Sequence, residues 1–471
     1  MGAKRHTPCL LFKRKSMTTC TPRAAWVNLL RRLHFAIGLF VGPFIFVAAL
    51  TGTLYVATPQ LENLLYRDAL TAEKGGEPHS LAEQIAVAEN ATGQNLALYA
   101  VRPSLTPGET TRVMFSSPSL GESESRALFI DPVTLAVKGD ITVYGTSGIL
   151  PLRQWIDYAH RSLLLGDVGR LYSELAASWM WLAACGGIAL WFFTRPKRRI
   201  RNRVQNNRRV HVMLGWILLG GMLLFSATGL TWSQWAGGNV DKLRSALNWL
   251  TPQVNTQLNG QMMMSDPHAE HHGGHGGMTM AMMAPDVVLF DDVLHLAQKG
   301  GIDASKVEIR PAKSEDKAWT VTEIDRGWPT QVDAVAIDAA KMQIVDRTRF
   351  ADFPLMAKLT RWGVDFHMGL LFGVLNQILL VAFGTALCVM IVVGYRLWWC
   401  RRPTPAKYNP LITLTQSWFD LPRVGQWTVS ALAVLLGVAM PVLGVSLLLF
   451  VAVDVLRWRM ASTVATVQSA D

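Results

Sequence analysis

Four histidines stand where they could do one kind of chemistry together. His34 and His211 each follow an Arg-Arg pair, in RRLHFAIG (31–38) and RRVHVMLG (208–215). His160 and His367 each open a stretch, HRSLLLG and HMGLLFG, that leads into an apolar run. Haem iron takes one axial ligand from each face of the porphyrin, and imidazole is a favoured ligand. Two helices presenting one histidine each from opposite sides supply that arrangement inside a bundle. The expected pairs are His34 with His211 and His160 with His367, one pair at each membrane face, which together make an electron path across the bilayer. A single histidine at a helix end is more often an interfacial or capping residue; four at helix starts, in register, argue for ligation.

The register comes from an internal repeat. Setting His160 on His367 aligns Gly166 with Gly373, Trp191 with Trp398, Arg195 with Arg402 and Pro196 with Pro403, at a constant offset of 207 residues. Thr51-Gly52 and Thr228-Gly229 lie 17 and 18 residues beyond His34 and His211. The chain therefore reads as two copies of one unit: apolar helix, soluble insert, apolar helix.

Composition favours a membrane protein, with 50% hydrophobic and only 17% charged residues. About five apolar runs are long enough to cross a core of ~30 Å, which needs ~20 helical residues. The resulting layout is a basic tail (1–32), a first transmembrane helix (33–57) closed by Pro59, and an insert (59–158). A linker with a second helix (160–196), a basic loop (197–210), a third helix (211–235) and a second insert (236–366) follow. A second linker with a fourth helix (367–403), a loop (404–426) and a C-terminal segment (427–456) complete it. The last is either one tilted helix kinked at Pro441 or a shallow hairpin turning there, and the single helix is preferred, since two arms of about fifteen residues would each be short for a crossing.

The net charge of +11 is topological rather than a nucleic-acid footprint. Residues 1–32 and 195–209 each hold eight Lys/Arg and no acid, whereas the inserts lean acidic, twelve acids to seven bases in 59–158 and seventeen to thirteen in 236–366. The positive-inside rule then puts the N-terminus and basic loops in the cytoplasm and both inserts outside. The basic N-terminus has no apolar run followed by a cleavage site and reads as a retained leader. Of five cysteines, Cys9, Cys20 and Cys400 fall on the cytoplasmic side and Cys185 and Cys388 within helices, so neither insert holds a disulfide.

Each insert reads as a small α+β module. A helical pattern at 80–91 is followed by strand-like RVMFSS and by LFIDPVTLAVKGD, where Asp131-Pro132 marks a hairpin turn. The second insert repeats the order, with a helix at 288–300, strands at KVEIRPA and AWTVTEI, and a hairpin around Asp338, again 207 residues on. It carries about thirty extra residues, attributed to the Gly/His/Met tract 261–284. His268, His271, His272, His275, Met278 and Met280 in that tract offer imidazole and thioether to copper or another soft metal; a tolerated external loop is the equal alternative.

Gly38, Gly42, Gly52, Gly215, Gly220 and Gly229 thin the helix faces, for a flat macrocycle or for helix packing alike. Arg31, Arg32, Arg208 and Arg209 are candidate propionate partners at the inner face, or plain anchors, and Arg161 and Arg170 at the outer. Trp191, Trp398 and Trp399 suit an aromatic belt.

The motifs RRLHFAIG, LFIDPVTLAV and HRSLLLG ending in LWFFTRP, with their second copies, resemble the PepSY-associated transmembrane proteins of bacterial inner membranes over roughly residues 26–403. That resemblance implies two external PepSY-like modules on a mainly α-helical polytopic protein, and two haem b groups held by His34, His160, His211 and His367. It also implies an iron-regulated reductase of periplasmic ferric siderophores. No Rossmann or flavin glycine pattern is present, so electrons must come from a separate cytoplasmic donor or from quinol. The rival readings are a copper-handling or cupric-reducing protein and a non-enzymatic membrane-anchored peptide-binding or protease-regulating protein.

Overall fold

The computed structural model describes residues 21–93, 95–121, 123–195, 202–259, 285–401 and 413–467. Among these, five helices are long and apolar enough to cross a membrane.

The first of the five is continuous over Pro22–Leu65, 44 residues long. It consists of α1 (Pro22–Ala36), a π-helical turn (Ile37–Val41) and α2 (Gly42–Leu65). Pro22 sits in the first turn, where its missing N–H costs nothing. The expected start at residue 33 is thus corrected: the basic segment before it is helical because Ala25 and Leu29 bury against Leu421. Nor does Pro59 end the helix. Its missing N–H would orphan the carbonyl of Tyr55, and the Thr58 hydroxyl donates to that oxygen instead, at 2.5 Å. The helix runs on to Leu65, and the short α3 (Arg67–Leu70) follows.

The two inserts build one sheet. Module 1 contributes α4 (Leu81–Thr92) and strands β1 (Ala97–Arg102), β2 (Thr111–Ser116), β3 (Glu124–Ile130) and β4 (Val137–Tyr144). Module 2 contributes α9 (Leu289–Lys299), β5 (Val307–Arg310), β6 (Trp319–Glu323), β7 (Ala334–Asp338) and β8 (Gln343–Thr348). All are antiparallel in the order β4-β3-β2-β1-β5-β6-β7-β8, and the join is β1 on β5, with Val101 opposite Ile309. Both hairpin aspartates turn the chain as expected. Asp131 Oδ1 accepts from the amides of Val133 and Thr134, and Asp338 Oδ1 from those of Ala340 and Lys341.

α4 and α9 cover one face of the sheet, burying Ile85, Phe290 and Val293 with Val101, Phe115 and Val321. Ser80 and Glu83 form a capping box at the start of α4. The Leu81 amide next to it donates to Asp291 of α9, at 3.0 Å, a second tie between modules. At the β1–β5 join, Arg102 meets Glu308 at 2.7 Å with both buried. Burial pushes the Glu308 carboxyl up, but Arg102 and Arg310 more than offset this and hold it below the ordinary glutamate value.

Two amphipathic helices, α5 (Pro151–Ser162) and α10 (Leu355–His367), lead from the sheet into the spanning helices α6 (Gly166–Phe193) and α11 (Gly373–Arg401). The third spanning helix is α7 (Arg203–Thr231), followed by α8 (Trp235–Ala246). Ile45, Met180, Leu218, Met222, Leu387 and Met390 belong to the buried core of the bundle. His160 and His367 therefore end amphipathic helices instead of opening spanning ones, and His34 and His211 lie inside α1 and α7.

The C-terminal segment is a hairpin, not one kinked helix. After α12 (Leu414–Phe419), α13 (Arg423–Ala439) stops at Met440 and α14 starts afresh at Pro441 and runs to Val467. The turn is possible because Gly437 and Gly444 meet backbone to backbone: a Cβ on Gly444 would lie 2.7 Å from the Gly437 carbonyl oxygen. α14 packs on α6, where Trp179 Nε1 donates to Ser446 at 3.0 Å. Its far end returns to α12, where Thr415 donates through N and Oγ1 to Asp454 at 2.7 Å.

Candidate functional site

The structure brings the four histidines together in two pairs. The imidazole centroids of His34 and His211 lie 6.2 Å apart with planes at 77°, and those of His160 and His367 lie 6.3 Å apart at 71°. His34 and Thr51, which touches His160, are seventeen residues apart on one continuous helix. Those residues span about 25 Å of helix at ~1.5 Å each, so the two pairs stand at well-separated depths of the bundle.

Each ring is oriented from its own half of the chain. His34 Nδ1 donates to the Ala183 carbonyl at 3.0 Å, and His211 Nδ1 to the Met390 carbonyl at 3.1 Å. Both carbonyls are mid-helix, and in each case the residue one turn on is glycine. A Cβ on Gly187 would stand 3.0 Å from His34 Cε1, and one on Gly394 3.4 Å from His211 Cε1. The missing side chain is what lets the ring reach the backbone.

The other pair uses hydroxyls. Thr51 Oγ1 donates to the Val47 carbonyl at 2.7 Å, so towards His160 Nδ1, at 3.1 Å, it accepts. Thr228 Oγ1 donates to the Leu224 carbonyl at 3.0 Å and accepts from His367 Nδ1 at 2.7 Å. Beside Thr51, Gly52 makes room: a Cβ there would lie 3.1 Å from His160 Cε1. In all four rings the proton is fixed on Nδ1, which leaves the Nε2 lone pair for a metal.

The spacing fits a metal between each pair. Two His–metal bonds of about 2.0–2.1 Å, each extended by the ~1.1 Å from ring nitrogen to ring centre, put the centroids about 6.3 Å apart. Among the described residues no group of three or more His, Cys, Asp or Glu side chains could hold a metal. Two opposed imidazoles suit an ion whose remaining positions are filled by a planar macrocycle.

A cavity of about 630 Å³ surrounds His34 and His211. Its wall includes Gly38, Gly42, Gly187, Gly215 and Gly394, whose thin faces widen it. Trp191 and Trp398, expected only as belt residues, also line it, as do Arg31 and Arg208. Arg208 donates through Nη2 to the Thr194 carbonyl at 3.0 Å, which holds it at the rim. Arg32 and Arg209 do not line it. Gly220 meets nothing within 4 Å, and Gly229 packs on Ala177.

Above the other pair, towards the sheet, lies a layer of charge. Arg326 and Arg361 both bind Asp365, at 2.6 and 3.1 Å. Arg161 stacks between Tyr144 and Tyr158, and Arg170 donates to the Trp232 carbonyl at 3.2 Å. Burial raises the Asp157 carboxyl above its ordinary value despite Arg161.

Gly187 and Gly394 escape a reading of composition, but they are 207 residues apart, as are Ala183 and Met390. The repeat offset was the signal for them. The soft-metal candidates His268, His271, His272, His275, Met278 and Met280 lie outside the described residues.

No curated protein matches the chain. A family model for the PepSY-associated TM region matches residues 31–401, which include all four histidines and both modules.

Proposed function

The chain belongs to the PepSY-associated transmembrane family, and from that premise we propose that it is a di-haem b reductase of the bacterial inner membrane. It carries electrons outward to a periplasmic ferric siderophore and so releases iron. The observation that carries the reading is the pair of imidazole separations, 6.2 and 6.3 Å, at two depths of one bundle.

Haem, when bound, supplies reversible one-electron Fe(III)/Fe(II) chemistry. His34 and His211 hold one group and His160 and His367 the other. The carbonyls of Ala183 and Met390 and the hydroxyls of Thr51 and Thr228 keep each ring turned and raise its basicity as a ligand. Apolar walls such as Ile45, Met180 and Leu387 keep water from the inner site. Arg31 and Arg208 supply positive charge at its rim. With the positive-inside charge bias, the sheet modules are periplasmic and the His160–His367 pair is the one nearer the substrate. The two modules and the helices behind them are two-fold related copies in this reading. A ferric siderophore binds through hard oxygen ligands, which hold Fe(II) less tightly than Fe(III), so one electron loosens the complex. A cytoplasmic reductant or quinol would supply the electrons, from the side of the His34–His211 pair.

The test is the absorption spectrum of the purified protein and of four single His→Ala variants. The wild type should carry two b-type haems. H34A and H211A should empty the same site, and H160A and H367A the other. Two full haem equivalents in all four variants would overturn the ligand assignment; a colourless wild type would overturn the reading. Right-side-out spheroplasts, but not inverted vesicles, should reoxidise their haems with an impermeant ferric complex.

A further inference from the structure

The helices α5 and α10 occupy equivalent positions 207 residues apart, yet their chemistry differs. Where α5 has Arg153, Asp157 and Arg161, the second half has Thr360 and Val364 in α10 and Met368 just beyond it. The charges of α5 thus have no counterparts at the matching positions, and α10 brings its own Arg361 and Asp365, which pair with each other and with Arg326.

Arg153 is the anomaly in that set. It is 7% exposed, and its Nε and Nη2 have no hydrogen-bond partner. Two arginines near it are well paired: Arg102 binds Glu308 and the carbonyls of Thr146 and Ser147, and Arg326 binds Asp365 and Ser147. Arginine cannot shed its proton at any ordinary pH, so burial leaves a full charge in need of a counter-charge. Two carboxylates stand near it and neither is within ion-pair distance: Asp157, one turn on, lies 3.9 Å from Arg161 instead, and Glu62 of α2 is buried with its Oε1 unpartnered. Arg153 rests with its guanidinium 4.4 Å over the ring of Tyr55. The buried Tyr55 hydroxyl also has no partner.

The position of this pair is set by two helices. Arg153 precedes His160 by seven residues, so both lie on one face of α5, about 10.5 Å apart along the axis. Tyr55 follows Gly52, which packs on His160, by three residues on α2. Both elements therefore place the unmet donors one level nearer the sheet than the imidazoles.

We propose that Arg153 and Tyr55 form a carboxylate seat above the His160–His367 pair. The guanidinium grips the carboxylate through its free N–H groups, and the Tyr55 hydroxyl donates to the same group. The carboxylate comes from a propionate of the macrocycle held below or from the incoming ferric complex. The proposal rests on the reading above for the first source and stands apart from it for the second.

The experiment uses full-length purified R153Q, R153K and Y55F. Redox titration without substrate reads the first source, and binding of ferric citrate against a carboxylate-free ferric hydroxamate reads the second. A propionate source predicts that R153Q loses the outer haem at least tenfold more readily or moves its midpoint, while the inner haem is unchanged. R153K and Y55F should show the same change to a lesser degree. A substrate source predicts unchanged haems, with ferric citrate bound at least tenfold more weakly and the hydroxamate unaffected. If R153Q does not accumulate, the same comparison is read on R153K and Y55F. Unchanged haem content, midpoints and affinities in the folded variants would overturn the seat and leave the ligand assignment standing. Protein without haem whose ferric citrate binding still depends on Arg153 would overturn the haem reading and keep the seat.

Discussion

Neighbouring glycines on α6 make the sharpest test of how the rings are held. A Cβ on Gly187 would stand 3.0 Å from His34 Cε1 and 3.5 Å from Nδ1, whereas one on Gly186 would meet nothing within 4 Å. Ordinary carbon contacts are about 3.5–4.0 Å, so in G187A the ring must retreat by roughly 0.5 Å or more. The bond from Nδ1 to Ala183, now 3.0 Å, then stretches to about 3.5 Å, beyond the useful range. Losing it costs about 1 kcal/mol, and crowding adds about 1–3 kcal/mol. Replacing a mid-helix glycine by alanine returns about 0.5–1 kcal/mol in either variant. The helix itself should therefore survive, while the inner site loses roughly 1.4 kcal/mol or more, a factor of ten in affinity. Haem-to-protein ratio and thermal melting read the two effects separately. G186A should keep both haems with an equal or higher melting temperature; G187A should shed the inner one. Equal haem content in the two variants would refute the idea that a bare backbone positions His34.

Three further outcomes follow from other parts of the molecule. Glu308 has a folded pKa held below its unfolded value of about 4.3, so its stabilisation is complete above that pH and is lost as pH falls through the lower folded value. E308Q should flatten the acid limb of the melting curve, and E308A, which leaves Arg102 buried and unpaired, should cost about 3–5 kcal/mol by chemical denaturation. Electron paramagnetic resonance of the ferric protein should show strongly anisotropic low-spin signals with one large g value, because the ring planes stand at 77° and 71°; ordinary rhombic spectra from both sites would contradict those angles. A reporter fused after residue 467 should lie on the same membrane side as one at residue 203, since α13 and α14 turn back at Met440; opposite sides would restore a single crossing.

The histidine pairing was legible because it depends on type and offset alone, and the offset survives in His160, His367, Gly166 and Gly373. The hairpins at Asp131 and Asp338 were legible for the same reason: an aspartate caps its own turn within three residues. What depends on distant partners was not. The join of β1 to β5 brings together segments about two hundred residues apart and shows no local pattern. Pro59 looks like a stop until Thr58 is seen to serve the orphaned carbonyl. Thr51 and Thr228 were visible as repeats, but their role required knowing which ring lay opposite. The break at Met440 turns on two glycines, Gly437 and Gly444, whose contact no spacing rule distinguishes from ordinary helix packing.

The way the rings are supported has a consequence for how the two halves of the chain depend on each other. Ala183, Gly187 and Thr51 belong to the same half as His34 and His160, and Met390, Gly394 and Thr228 to the same half as His211 and His367. Each pair nevertheless takes one ring from each half. A polypeptide of half this length would therefore carry complete support for two ligands and lack only their opposite numbers. A second copy of itself, turned about a two-fold axis, would supply both at once. β1 meets β5 antiparallel, the sense required when a strand meets its own equivalent across such an axis. Two such halves joined in one chain are free to differ, as α5 and α10 do, without disturbing either pair.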